Sequence, residues 1–356
     1  MSSPIYLDYA ASTPTDPAVA DTMHQHLSLG GNFANPASRG HVYGWQADEA
    51  VESARASTAQ MLNADPREIV WTSGATESDN LAIKGLMSRG LRTGRKHIVT
   101  SAIEHKAILD TCAWMEDQGF CVSYLQPSAT GAITPAQVEA ALRDDTLLVT
   151  VMQVNNELGS ISDVAGIAKL CRDRGVISHT DAAQSFGKIP IDVQALGVDL
   201  LSLSAHKIYG PKGIGALYVR RQDGLTLDAQ VHGGGHEMGM RSGTLPTHQI
   251  VGLAAAARLM HDEMAEQTQR IGALRDRFVS HLQQMPGVYL NSDPLVCIPQ
   301  IVNVAFDGVD GETLLLALNE LAISTGSACN SASVEPSHVL TGIGLSRALA
   351  DASLRF

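Results

Sequence analysis

The chain has 356 residues, of which 44% are hydrophobic and 17% are charged, so it is long enough for two domains with sizeable cores. Its formal net charge of −12 argues against a nucleic-acid-binding surface, and no apolar run approaches the length of a membrane-spanning helix. The first residues lack the basic and apolar segments of a secretory signal, and five scattered cysteines without a Cys-x-x-Cys pair fit a reducing compartment. We therefore expect a cytoplasmic protein.

Strand and helix signals alternate through the first two thirds of the chain. The predicted strands are Ile69–Thr72, Ile98–Ser101, Val122–Leu125, Leu147–Val154, Val176–His179, Leu200–Leu203 and Ala216–Val219. The intervals contain helix starts such as Thr134-Pro135, a cap residue followed by proline at the first helical position. This alternation predicts an α/β fold with a mixed, mainly parallel sheet sandwiched by helices.

The pattern changes after the glycine-rich segment His232–Gly243. A long amphipathic helix is predicted from apolar residues at helical spacing: Ile271, Leu274, Phe278, Leu282 and Met285. Shorter signals follow from Pro286. We predict a large domain over residues 15–262 and a smaller α+β domain made of residues 1–14 and 263–356.

Polar residues follow several of the predicted strands. The turn Ser73–Thr76 lies between a strand and a helix, where small residues and the helix N-terminus favour a single phosphate, although any tight turn uses such residues. Asp181 follows the strand GVISHT; it is either a helix N-cap or an acid that keeps a heteroaromatic nitrogen protonated, as pyridoxal phosphate requires. Lys207 follows the buried strand ending at Leu203, where an amine suits Schiff-base chemistry with an aldehyde cofactor.

Two further clusters leave their alternatives open. His105 is either a hydrogen-bonded structural residue or a ring that lies over a planar cofactor. Asn155 and Asn156 are either turn formers or ligands of a cofactor hydroxyl or substrate carboxylate. Because the carboxyl ends of parallel strands meet at one edge of a sheet, these clusters predict a shared crevice.

The ordered motifs resemble those of the cysteine desulfurases, in the class V aminotransferase family of fold-type I pyridoxal-phosphate enzymes. The resemblance is greatest to the housekeeping, IscS/NifS-like type, and it covers essentially the whole chain. It is carried by IYLDYAASTP, NPASRGH, TSGATESDNLAIKG, EHKAILDTC, VNNELG, HTDAAQSFGKIPID, SAHKIYGPKGIGALYVRR, HGGGHEMGMRSGTLP, STGSACNSASVEPSHVL and SLRF.

The resemblance implies pyridoxal 5'-phosphate as the cofactor and a role for each matching residue. Lys207 forms the Schiff base with it, Asp181 pairs with the pyridine nitrogen, Gln184 reaches the phenolic oxygen of the ring, and His105 stacks on the ring. The phosphate is bound by Ala75, Thr76, Ser204, His206 and, from a second subunit, Thr244.

Asn156 contacts the cofactor–substrate adduct, and Asn35 and Arg355 hold the carboxylate of the substrate, L-cysteine. The cross-subunit role of Thr244 implies a homodimer.

Cys329 has the most consequential implied role. It lies in a run of small residues, Ser324–Ser333, whereas Cys112, Cys171 and Cys297 are predicted to be buried small hydrophobes. The resemblance makes Cys329 the nucleophile that takes the substrate sulfur as a persulfide while L-alanine forms. The sulfur then passes to an iron–sulfur scaffold or another acceptor, such as a tRNA-thiolation protein. We expect no resident metal, and Cys329 at most as a transient ligand of an iron–sulfur cluster.

Two rival functions remain at this point. A selenocysteine lyase of the same family is disfavoured by Cys329, because cleavage of the weaker carbon–selenium bond need not use a protein thiol. A non-catalytic subunit that only binds scaffold proteins is disfavoured by the intact Lys207, Asp181, Gln184 and Cys329. Members of the family continue past Arg-Phe with a further strand and helix. We therefore expect either that the chain ending at Phe356 is cut short or that scaffold docking and stability are impaired.

Overall fold

The computed structural model describes residues 3–222, 225–325 and 336–356. In chain order its strands and α-helices are β1 (Ile5–Tyr6), α1 (Pro17–His24), α2 (Val42–Leu62), β2 (Ile69–Thr72), α3 (Ala75–Lys84), α4 (Met87–Thr93), β3 (His97–Ser101), α5 (Lys106–Asp117), β4 (Cys121–Leu125), α6 (Pro135–Ala141), β5 (Thr146–Thr150), α7 (Val164–Asp173), β6 (Ile177–Asp181), α8 (Val193–Leu196), β7 (Leu200–Ser204), β8 (Gly215–Val219), α9 (Thr247–Leu282), β9 (Val288–Leu290), β10 (Asn303–Phe306), α10 (Gly311–Ala317), β11 (Leu321–Ala322), α11 (His338–Gly342), α12 (Arg347–Asp351) and β12 (Ser353–Arg355). Short 3₁₀ helices occur at Pro66–Glu68, Ala205–Lys207 and Glu237–Gly239.

The central sheet has the strand order β2-β8-β7-β6-β5-β3-β4. Strands β7, β6, β5, β3 and β4 are parallel, and β8 runs antiparallel to both of its neighbours. The predicted α/β fold with a mixed, mainly parallel sheet is confirmed. No helix in the described part of the chain is long and apolar enough to cross a membrane.

Helices cover both faces of this sheet, because successive side chains of a strand point to opposite faces. Ile69 and Trp71 of β2 pack in one apolar cluster with residues of α2 and α9, whereas Val70 packs in another with residues of α3 and α5. Such strands are buried on both sides and therefore have continuous apolar sequences rather than alternating ones. The C-terminal ends of the parallel strands share one edge, which positions the site.

Some predicted boundaries are wrong. The strand predicted to reach Val154 ends at Thr150. Beyond it the amides of Val151 and Gln153 still donate to carbonyls of β6, and Val154 pairs with Ile161 in an isolated bridge. The predicted long helix ends at Leu282, and Met285 lies in a turn in which its amide donates to the Leu282 carbonyl. The start of α6 at Pro135 is as predicted, with Thr134 as its N-cap in a capping box.

The C-terminal part of the chain forms a second, smaller core. Strands β12, β10 and β9 make an antiparallel sheet, and β1 pairs with β11. The last turns of α9 contribute Val279 and Leu282 to a cluster with Val304 of this sheet and with Val302 directly before β10. The predicted boundary between residues 262 and 263 falls inside α9, and the two domains stay a prediction.

Candidate active site

A cavity of about 470 Å³ opens at the C-terminal edge of the central sheet. It is lined by every predicted cofactor-binding residue except Thr244: Ala75, Thr76, His105, Asn156, Asp181, Gln184, Ser204, His206 and Lys207. Side chains from the ends of several parallel strands converge here because these strands share one orientation. The sequence-derived crevice is therefore present, while the role of each residue stays a prediction.

The predicted phosphate seat is the N-terminus of α3. The helix begins at Ala75, earlier than the sequence suggested. Gly74 precedes it and provides no side-chain hydrogen bond, so the first backbone amides of the helix have no side-chain cap. Gly74 has a φ of 150°, which favours glycine. A Cβ on Gly215 of β8 would lie 2.7 Å from the Gly74 Cα, so these two backbones meet as closely as only glycine permits.

Asp181 ends β6 with its side chain buried at the cavity. Its Oδ1 accepts a 2.8 Å hydrogen bond from the Ala183 amide, and turns rather than a helix follow, so Asp181 is not a helix cap. Burial raises the pKa of this carboxyl, while the Ala183 hydrogen bond and the nearby His105 and Lys207 oppose that rise. A cation held beside Asp181 would stabilise its ionised form.

Asp79, which sequence reasoning missed, also lines the cavity. Both of its carboxyl oxygens are buried without a hydrogen-bond partner among the described residues, and Oδ1 lies 3.7 Å from His179 Nε2. Burial and the charge of Asp181 raise the Asp79 pKa well above its usual value, and burial lowers the His179 pKa to about 3. The His179 imidazole is therefore neutral near pH 7, and protonation of Asp79 is favoured by its burial. A usable signal was the spacing, since Asp79 stands three residues after Thr76 on the same helix face.

Lys207 lies in the 3₁₀ turn that directly follows β7. Its Nζ donates to the carbonyl oxygens of Ala10 and Ala11 at 2.7 and 2.8 Å, so the N-terminal segment closes this side of the cavity. His206 Nδ1 lies 3.3 Å from the Ser12 hydroxyl. Burial, together with the charges of Lys207 and its neighbours, lowers the His206 pKa to about 4. A neutral imidazole is the result.

Among His105, Asn155 and Asn156, some side chains stabilise the local backbone and some line the cavity. His105 caps α5, accepting at Nδ1 from the Ala107 amide at 3.1 Å, and it also lines the cavity. Asn155 is a turn former whose Oδ1 accepts from the amides of Glu157 and Leu158. Asn156 lines the cavity, and its buried Oδ1 has no hydrogen-bond partner in the described part of the chain.

Three predicted residues do not line this cavity. Arg355 is buried beside it, donating through Nη1 to the Asn156 carbonyl at 2.9 Å and through Nη2 to Asp8 at 2.7 Å. Asn35 is exposed in a turn that it stabilises by accepting from the Ala37 amide, and Thr244 is exposed on this chain.

Cys329 lies outside the described residues. The other assignments for cysteine are confirmed, because Cys112, Cys171 and Cys297 are buried, and burial raises the pKa of each thiol to about 12. Cys121 is exposed. Within the described ranges, no group of three or more His, Cys, Asp or Glu side chains could hold a metal ion.

Comparison with known families defines the class of protein. The family model for Aminotransferase class-V matches residues 5–355, so the chain belongs to that family. Within it, the chain is one of the IscS/NifS-like cysteine desulfurases, which are pyridoxal-phosphate-dependent enzymes.

Individual relatives agree in sequence and in structure. Cysteine desulfurase IscS of Pseudomonas aeruginosa (strain UCBPP-PA14) is 59% identical over 356 residues, which are 100% of this chain and 88% of the relative. A solved structure of a NifS-like protein superimposes with a TM-score of 0.91 at 33% identity and covers 99% of this chain and 93% of that one. A structure described as SspA in complex with cysteine has a TM-score of 0.88 at 44% identity, covering 99% and 97% of the two chains.

Proposed function

We propose that this chain converts L-cysteine to L-alanine and passes the sulfur, as a persulfide of Cys329, to acceptor proteins for iron–sulfur cluster assembly and thiolation. The observation that carries the proposal is that one cavity brings together Lys207, the carboxyl of Asp181 and the uncapped start of α3. The SspA structure holds cysteine in the same fold, which supports the substrate.

The residues around the cavity fit pyridoxal 5'-phosphate. The first amides of α3 suit the phosphate. Asp181 suits a protonated ring nitrogen, because the positive charge of that nitrogen would compensate for the burial of the Asp181 carboxyl. Asn156 Oδ1 is a buried acceptor that lacks a donor in the described part of the chain. When bound, the cofactor supplies an aldehyde for an amine and a ring that withdraws electrons from the substrate Cα.

Each side chain then has a defined task. Lys207 holds the cofactor and, as a neutral amine, takes the Cα proton of the substrate. Asp181 keeps the ring nitrogen protonated, and Arg355 with Asn35 binds the substrate carboxylate. The Cys329 thiolate forms a bond to the substrate sulfur as the carbon–sulfur bond breaks. The balance is one cysteine and one thiol consumed, and one alanine and one persulfide formed.

The assembly is part of the same proposal. Thr244, exposed on its own chain, would reach the phosphate in a homodimer, in which Thr244 of the partner subunit completes each site. The ion pair between Arg55 and Glu237 anchors the segment that leads to the exposed Thr244, and this supports the arrangement. We also propose a cytoplasmic location and protein rather than nucleic-acid partners, in line with the net charge of −12.

The test combines two variants with the purified protein loaded with pyridoxal phosphate. Lys207→Ala is expected to form no alanine from L-cysteine, and Cys329→Ser is expected to keep the visible absorbance of the bound cofactor while forming neither persulfide nor sulfide. Cys121→Ser, at an exposed cysteine, is the matched control and keeps full activity. Sustained sulfide release by Cys329→Ser would refute the nucleophile, and wild-type protein that neither binds the cofactor nor forms alanine would refute the function.

A further inference from the structure

A second lysine lies directly behind the cavity. Lys188 follows β6 in the turn that also contains Gln184, and only 8% of its surface is exposed. Its Nζ donates a 2.6 Å hydrogen bond to Gln184 Oε1. Burying an ammonium group is costly unless it has a partner, so this contact at a functional site needs an explanation.

The neighbours of Gln184 decide how its amide is oriented. A protonated lysine can only donate a hydrogen bond, so the atom facing Lys188 must be the oxygen. On the other side, Gln184 Nε2 donates to the carbonyl oxygen of Ala10 at 2.8 Å, and a carbonyl can only accept. The orientation of the Gln184 amide is therefore fixed from both ends. A flipped amide would place its NH₂ group against the Lys188 donor and its oxygen against the Ala10 carbonyl oxygen. The second hydrogen of Nε2 remains for the cavity that Gln184 lines.

The same carbonyl connects this pair to the principal lysine of the site. Ala10 accepts from Lys207 Nζ at 2.7 Å as well as from Gln184. Lys188 therefore donates to Gln184, and Gln184 and Lys207 both donate to the Ala10 carbonyl. Because a donor at the amide oxygen polarises the amide group, a cation at Oε1 makes the Nε2 hydrogens stronger donors.

Charged groups surround Lys188 on both sides. Burial, followed by the positive charges of Lys207 and Arg355, lowers its pKa to about 7. Two further cavities that Lys188 lines are also lined by charged or titratable residues of α9: His261, Glu263 and Arg270. A negatively charged ring oxygen in the active-site cavity would offset the repulsion from Lys207 and Arg355 and favour the ammonium form.

We propose that Lys188 is a positioning residue that holds the Gln184 amide with its NH₂ group towards the cavity, where it donates to the phenolic oxygen of a pyridoxal cofactor. The inference rests on the proposed function, because it needs that cofactor in the cavity. Lys188 itself stays outside the cavity and acts only through Gln184.

The test is a spectrophotometric pH titration of the cofactor-loaded protein without substrate, which needs no turnover. Lys188→Met keeps the length of the side chain and removes its charge and donors. A lost donor to the ring oxygen makes proton loss from the neighbouring Schiff-base nitrogen harder, so we expect the absorbance midpoint to move up by about one pH unit. Gln184→Leu is expected to shift it in the same direction.

The double variant separates positioning from an independent effect. If Lys188 acts through Gln184, the double variant has the midpoint of Gln184→Leu alone within about 0.3 pH units, the usual limit of additivity. Additive shifts, or a wild-type midpoint in either single variant, overturn the proposal. Lys169→Met, at an exposed lysine of α7, is the matched control and leaves the midpoint unchanged.

Stability is measured in parallel as the thermal unfolding midpoint of the cofactor-free variants. A merely structural lysine would change this midpoint and leave the absorbance titration unmoved, which would contradict the inference. If Lys188→Met does not fold, Lys188→Arg decides: it keeps charge and donors and should retain the wild-type titration, and a shift as large as that of Gln184→Leu overturns the proposal. If the wild-type protein binds no cofactor, the proposed function itself fails and this inference fails with it.

Discussion

Two buried acidic regions of this molecule differ in how their oxygens are satisfied. In the glycine-rich segment before Thr244, Glu237 receives two hydrogen bonds from Arg55, at 2.7 and 2.8 Å, and one from the Trp71 amide at 2.7 Å. At the sheet edge, Asp181 accepts one backbone hydrogen bond, and Asp79 has no hydrogen-bond partner among the described residues.

The difference separates a structural carboxylate from those kept for a ligand. A buried carboxylate with a bidentate partner and a backbone donor has its hydrogen-bond partners within the chain, and it anchors the segment that contains it. An acid that the protein buries without such partners is destabilising on its own, and such sites occur where function requires them. Asp181 should therefore control chemistry, and Glu237 should control stability.

The largest expected effect is on the chemistry at Asp181. Asp181→Asn removes the acid that keeps the cofactor nitrogen protonated, so we expect alanine formation to fall by about 10²–10⁴-fold. Unfolding by denaturant should be nearly unchanged, because asparagine retains the shape and the acceptor for the Ala183 amide. Steady-state alanine formation measures the loss of activity, and a denaturation curve measures the stability. Near-normal turnover of Asp181→Asn would contradict the role of Asp181 in the chemistry.

The next effect is on stability at the Arg55–Glu237 pair. Arg55→Met leaves Glu237 buried without its cation, which is expected to cost about 3–5 kcal/mol of unfolding free energy. The double variant with Glu237→Met removes both charges and should recover much of that loss.

The measurement is guanidinium unfolding of the cofactor-free protein. Arg67→Met, which breaks the exposed Arg67–Asp65 pair, is the matched control and should change little. A loss for Arg55→Met no larger than that of the control would show that Glu237 does not anchor its segment.

The smallest effect is predicted at Asp79. Because burial raises the Asp79 pKa well above its usual value, Asp79→Asn, an uncharged group of similar shape, should retain cofactor binding and most activity. A raised folded-state pKa stabilises the protein at low pH, and that contribution is lost as pH rises from the unfolded value of about 3.9 through the folded one. Unfolding curves from pH 4 upwards should therefore show the variant gaining stability relative to the wild type, whereas parallel curves would mean that Asp79 is ionised in the folded protein.

The sequence was most informative where local rules apply. The strands of the central sheet were predictable within a few residues because most of them are buried and contain apolar runs, as in β2 and β7. Thr134-Pro135 likewise predicted the start of α6 from cap chemistry alone. The end of β5 was missed, because the apolar pattern continues to Val154, whose partner is the distant Ile161 rather than a residue of β6.

What the sequence determined by itself was the list of chemical groups and their attachment to strand ends, since the side chains at those ends follow from pattern and spacing. The tertiary structure alone decided which groups are close across the chain: Ala10 brought to Lys207 and Gln184, Asp8 to Arg355, and Arg55 to Glu237. Burial also exists only in the folded chain, and it alone distinguishes Asp79, with its raised pKa and without a donor among the described residues, from a surface aspartate. The physical reason is that desolvation and hydrogen-bond partners depend on the packing of distant segments, which no short stretch of sequence encodes.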